Sequence, residues 1–100
     1  MATPPGTNVR GFLTDDEGEL LSALACEAGR LGPVLEIGSW CGRSTIWLAQ
    51  GAKLAGTVVL ALDHHRGSEE HQPGEMFFDA DLVDGDGRVD TLREFRRNIA

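Results

Sequence analysis
One hundred residues carry 16 acidic against 9 basic side chains, a net charge of −7, and are 41% hydrophobic. That length allows one domain, and the apolar content is that of a folded protein rather than a disordered one. The acidic balance argues against nucleic acid as a partner, which would need a basic face to neutralise phosphates, and equally against docking on anionic lipid. The longest apolar run, Val58 to Leu62, is strand-sized and far short of the ~20 residues of a membrane helix. Met1 to Gly6 shows no basic region followed by an apolar one, so no secretory signal is expected. Cys26 and Cys41, the only cysteines, fit a reducing compartment, and the expected location is cytoplasmic.

Residues 1–13 read as an irregular lead-in. Thr14, with Glu17 three residues later, predicts a capping box at the start of a first helix, and the acids Asp15 and Asp16 suit the positive end of its dipole. Leu20, Leu21, Leu24, Ala25, Ala28 and Leu31 follow helical spacing and predict one apolar stripe. Gly32-Pro33 stops that helix. Val34 to Ile37 reads as a strand, Gly38 to Gly42 as a tight turn, and Ser44 to about Leu54 as a second helix weakened at its far end by Gly51 and Gly56. Thr57 to Asp63 is the clearest strand, and its unbroken apolar run predicts cover on both faces. Residues 64–90 read as a long polar loop, functional in a compact domain, with a lid over cofactor or substrate as one use. Thr91 and Glu94 predict a second capping box opening a last helix with Leu92, Phe95 and Ile99 as its apolar face.

The order helix, strand, helix, strand, loop, helix implies an α/β fold: a βαβ unit of a Rossmann-like, doubly wound parallel sheet. Two parallel strands leave sheet edges and helix faces bare. Residues 1–100 therefore read as a single partial domain, the N-terminal half of a larger one, expected to self-associate through the exposed sheet edge.

The segment Glu36-Ile37-Gly38-Ser39-Trp40-Cys41-Gly42-Arg43-Ser44-Thr45 lies between strand and helix, where a glycine loop meets a nucleotide. Gly38 lets the backbone turn and approach a ligand without a Cβ. Gly42 lets the helix start close to the strand. The backbone donors of Arg43, Ser44 and Thr45 at a helix N-terminus favour an anionic group. Asp63 closes the next strand about 20 residues beyond Gly42, the spacing of an acid that holds a ribose hydroxyl pair. The spacing Gly-x-x-x-Gly, the bulk of Trp40 and the charge of Glu36 disfavour a pyrophosphate. They suit a ligand with a ribose, an amino group and one carboxylate, such as S-adenosylmethionine, with Glu36 facing its ammonium.

The run Glu36 to Ser44, with Asp63 closing the next strand, resembles the class I S-adenosylmethionine-dependent methyltransferases. The continuation Asp63-His64-His65-Arg66-Gly67-Ser68-Glu69-Glu70-His71-Gln72-Pro73-Gly74 is similar to one bacterial branch of that family. The resemblance implies a methyl transfer to an acceptor it does not identify. It implies cofactor contacts at Glu36, Gly38, Ser39 and Gly42, ribose binding by Asp63, and a place beside the adenine for His64. Trp40 reads as a packing residue bordering the cofactor, and Ser44 as a helix-start residue at the same site rather than a nucleophile. No catalytic residue is assigned.

His64, His65 and His71 with Glu69 and Glu70 invite a metal reading, but no two of the histidines have helical i, i+4 spacing, and a polar loop whose Arg66 pairs with local acids is the stronger one. Asp79 to Gly87 fails the calcium-loop spacing and reads as a solvated loop. Arg43 reads as a solvated side chain. Cys41 reads as a small buried side chain whose nearness to a helix N-terminus lowers its pKa. Two alternatives stay open: the Rossmann half of an NAD-dependent oxidoreductase, and an inactive truncated α/β subunit acting through a partner.

Overall fold
The computed structural model describes residues 5–100. The reading of Met1 to Pro4 as part of a leaderless, irregular start lies outside them. After a 3-10 turn over Pro5–Asn8 come α1 (Asp15–Gly29), β1 (Val34–Ile37), α2 (Arg43–Leu54), β2 (Val59–Leu62) and α3 (Leu92–Ile99). Strands β1 and β2 pair in parallel, with Val34 opposite Val59 and Ile37 opposite Leu62. The Gly38 amide donates to the Leu62 carbonyl at 2.8 Å and carries the ladder one step beyond the strands. The fold is α/β, with a two-stranded parallel sheet.

The capping box at Thr14 forms as expected: the Glu17 amide donates to Thr14 Oγ1, and the Thr14 amide donates to Glu17 Oε1. The apolar stripe of α1 is different. Leu20, Leu24 and Leu31 are 60%, 50% and 95% exposed, and the buried positions are Gly18, Ala25 and Gly29. The contact with α2 selects small residues rather than large ones. A Cβ on Gly18 would run into the Trp47 ring, and one on Gly29 would stand 2.9 Å from the Ala55 methyl. Trp47, only 2% exposed, fills the space that Gly18 leaves, against Gly6 of the lead-in as well.

Gly51 belongs to the same contact. It is buried in the last turn of α2, and a Cβ there would fall on the Ser22 carbonyl of α1. Its part there is the close approach of two helices. Arg43 is also unlike its expectation. Its side chain is 12% exposed, pairs with Asp15 at 2.7 Å, and donates to the carbonyls of Leu13, Gly6, Thr7 and Val9 at 2.6 to 2.9 Å. A guanidinium has enough forked donors to bind a loop this way, so the first turn of α2 clasps the lead-in.

Strand β2 is shorter than the predicted Thr57 to Asp63, and it is not covered on both faces. Leu35 and Ile37 of β1 and Leu60 and Leu62 of β2 are each more than half exposed. The opposite face carries Glu36 and Ala61, on the side of α2. Residues 64–90 hold two 3-10 turns, Glu69–His71 and Ala80–Leu82, and one antiparallel bridge, Val83 to Val89. Their acids act on the local backbone: Asp84 Oδ1 accepts from the amides of Asp86 and Arg88, and Asp79 Oδ1 from Asp81. Arg66 pairs with Asp84 at 3.1 Å. The capping box expected at Thr91 does not form, because the threonine hydroxyl is turned to His65 and the Leu92 amide takes Asp90 instead.

Glycine to alanine inside a helix ordinarily gains up to ~1 kcal/mol. Gly51→Ala is expected to lose ~1–3 kcal/mol, because the new methyl meets backbone that cannot swing aside. Urea unfolding of the full chain checks the sign, and a stabilised variant contradicts the packing described.

Candidate functional site
The carboxyl ends of the two strands lie side by side, so Gly38 and Asp63 leave the sheet as neighbours. Between them opens a cleft of about 590 Å³, within the ~300–1,000 Å³ typical of small-molecule sites. Ile37 lines it from the end of β1 and Leu62 from the end of β2, with Gly38 and Trp40 from the turn after β1 and Asp63 and His64 from the residues directly after β2. Gly67, Ser68 and His71 close it from the segment after β2.

Asp63 is the centre of this geometry. Its side chain is 14% exposed. One carboxylate oxygen accepts the Trp40 amide at 2.7 Å, and the other accepts the His65 amide at 2.9 Å. Trp40 and His65 have φ of 50° and 61°, and they are the only non-glycine residues with positive φ among the described ones. The left-handed region is disfavoured for residues with a Cβ. Both strained residues thus point their amides at one carboxylate. Of the roughly four lone-pair positions on an ionised carboxylate, these amides take two, and two remain for a ligand.

Gly38 has φ of 86°, and a Cβ built on it meets nothing within 4 Å, so this side of the cleft is backbone and open space. The Trp40 ring stacks against Phe12 and against His71, with centroids 5.5 Å away in each case. Its stacking is therefore within the protein, and it fastens the lead-in and the segment after β2 to the turn. The His64 ring is mostly exposed on the rim, and its Nδ1 accepts the Arg66 amide at 2.9 Å.

Four residues expected at the cofactor, Gly38, Trp40, Asp63 and His64, come together on the cleft. Glu36, Ser39, Gly42 and Ser44 do not line it. Glu36 is buried, and its two oxygens accept the hydroxyls of Ser44 and Thr45, fastening β1 to the first turn of α2. The Ser39 hydroxyl is buried without a partner among the described residues. Gly42, at φ of 95°, is the residue before α2. What comes close to it is α3 rather than the strand: a Cβ there would lie 3.2 Å from Phe95 and 3.3 Å from Ile99. Cys41 is fully buried, and burial, with Glu94 adding to it, pushes its thiol up to about 12. Desolvation outweighs any help from the nearby helix start, reversing the expected lowering.

Ile37, Leu62, Gly67, Ser68 and His71 escaped the sequence reading as cleft residues. The strand pair Ile37 and Leu62 was within reach, since each immediately precedes a recognised residue. His71 carried no such signal, because a stack on Trp40 depends on how the loop folds back. Among the described residues, no group of three or more His, Cys, Asp or Glu side chains gathers as a metal centre, and no helix is long and apolar enough to cross a membrane.

Two outcomes follow for these side chains. Iodoacetamide at pH 8 should label Cys26 in the folded chain and spare Cys41 until the chain is denatured; equal labelling rates contradict the burial. For Asp63, burial raises the carboxyl pKa, but the amide bonds from His65 and Trp40 outweigh it and hold the group below its ordinary range. A depressed folded-state value gives stability that is complete above the unfolded value, ~3.9, and is lost as pH falls through the folded one. The stability difference between the natural chain and Asp63→Asn should therefore shrink below about pH 4. Parallel pH profiles for the two proteins count against the clasp.

A family model described as a methyltransferase domain matches residues 35–98, from β1 through nearly all of α3 and well over half of the chain. By that match the chain belongs to the class I S-adenosylmethionine-dependent methyltransferase family.

Proposed function
We propose that the cleft at the ends of β1 and β2 binds S-adenosylmethionine, and that the chain is the N-terminal, cofactor-binding half of a Rossmann-like, doubly wound methyltransferase domain. The observation that carries the reading is Asp63: a carboxylate fixed by two amides, with two acceptor positions left over, on the wall of a cleft that Gly38 keeps open. Such a group can accept a pair of ribose hydroxyls at once. Bound there, S-adenosylmethionine supplies an electrophilic methyl group on its sulfonium.

The residues of this chain bind and orient. Asp63 would take the ribose hydroxyls, Gly38 would let the backbone lie close to the ligand, and His64 would stand at the rim beside the base. Trp40 and His71, stacked on one another, would wall the cleft from water. Glu36 would act indirectly, through the first turn of α2, since its carboxylate is already engaged by two hydroxyls. Positioning of this kind is a large part of what a transferase provides. The methyl acceptor would be met by residues beyond those described.

The bare face of Leu35, Ile37, Leu60 and Leu62 supports a sheet that continues under further helices. Left uncovered, a contiguous apolar face of this kind drives self-association. The free thiols of Cys26 and Cys41 support a cytoplasmic setting. The family match gives no support to a nicotinamide cofactor.

Isothermal titration of the full chain with S-adenosylhomocysteine tests the reading. Saturable binding is expected, with no saturable heat from NAD. Asp63→Ala should weaken it by ~1.5–3 kcal/mol, the worth of hydrogen bonds to a charged group, or about 10- to 150-fold. Unchanged affinity removes Asp63 from the site.

A further inference from the structure
We propose that His65 and Thr91 are positioning residues for the Asp63 carboxylate, holding it from the head of α3 so that its free lone pairs stay turned to the cleft. This rests on the ribose-binding reading of Asp63.

His65 gives its amide to Asp63 from left-handed backbone, φ of 61°. Glycine would make that turn without strain, so a histidine here needs something to hold it. Thr91 does so at two points. The Thr91 amide donates to the His65 carbonyl at 3.0 Å, and Thr91 Oγ1 lies 2.8 Å from His65 Nδ1. Phe95, one turn along α3, packs on the same ring with centroids 5.0 Å apart.

Thr91 is 0% exposed, so its hydroxyl has no water to turn to, and a buried hydroxyl keeps the partner it has. The hydroxyl that would otherwise cap α3 is committed to this ring. A strained residue tied at carbonyl, ring nitrogen and ring face is over-determined, the condition under which such strain persists at sites of function. If the ring tie is released, His65 can relax toward ordinary φ and take its amide off the carboxylate. Asp63 then keeps only the Trp40 amide and can turn about its side-chain bonds.

The experiment is titration of the full chain, natural and variant, with S-adenosylhomocysteine and with its 2′,3′-dideoxy analogue. The ratio of the two affinities reports the hydroxyl contacts alone. The natural chain should prefer the hydroxylated ligand by about tenfold or more, and Asp63→Ala should abolish that preference. Thr91→Val, equal in shape without the hydroxyl, should cut the preference at least threefold while binding of the dideoxy ligand is unchanged. Thr91→Ser should restore it.

Full preference in Thr91→Val overturns the positioning role and leaves the ribose role of Asp63 standing. Full preference in Asp63→Ala overturns the ribose role itself, and absence of saturable binding by the natural chain overturns both. If Thr91→Val binds neither ligand, His65→Ala decides, since alanine keeps the strain of the left-handed turn and removes the ring that is tied. A lost preference there supports the tie, and an intact one overturns it.

Discussion

One carboxylate holds together the parts of this molecule that face a ligand. Asp63 directly follows β2, and its two oxygens accept from the turn after β1 and from the start of the segment after β2. Both donors are left-handed residues with side chains. That conformation costs ~1–2 kcal/mol for each such residue, and a hydrogen bond to a charged acceptor is worth ~1.5–3 kcal/mol. The two terms are of similar size, so the bonds to the carboxylate offset the strain of the two left-handed residues. The same group that can receive a ligand also fixes the walls around it.

The other end of the turn is fixed by different chemistry. Glu36, two residues before Gly38, is buried and engaged by the hydroxyls of Ser44 and Thr45, which ties β1 to α2. Helix α2 is in turn set against α1 by the absence of side chains at Gly18 and Gly51 and by the Trp47 ring that fills the gap. Arg43 binds the lead-in to the same helix, so Phe12 reaches Trp40 and packs on it. A chain of contacts thus runs from helix packing to the placement of a single loop. Rigid placement of this kind is what a binding site for a flexible ligand would need.

The apolar face of the sheet is the counterpart of this well-determined end. Leu35, Ile37, Leu60 and Leu62 would cover one another's neighbours in a larger sheet, and among the described residues they remain more than half exposed. The strand ends are thus well determined while the sheet behind them is two strands wide among the described residues. Local hydrogen bonds and helix contacts set the former, and cover by additional elements sets the latter.

Much was legible before any fold was known. The Thr14 cap, the stop at Gly32-Pro33, the strand at Val34 to Ile37, the glycine turn and an acid at the end of the next strand all depend on neighbours close in sequence. Their periodicity and turn chemistry were enough to place Gly38 and Asp63 at adjacent strand ends. The sequence could not reveal that α1 meets α2 through glycines, because a missing side chain has meaning only when another helix comes near. Nor could it show that Arg43 is a clasp, that Cys41 is too buried to ionise easily, or that Thr91 turns from its helix to His65. Each of these depends on residues far apart in the chain meeting in space, where burial and the partner at hand, rather than local propensity, settle what a side chain does.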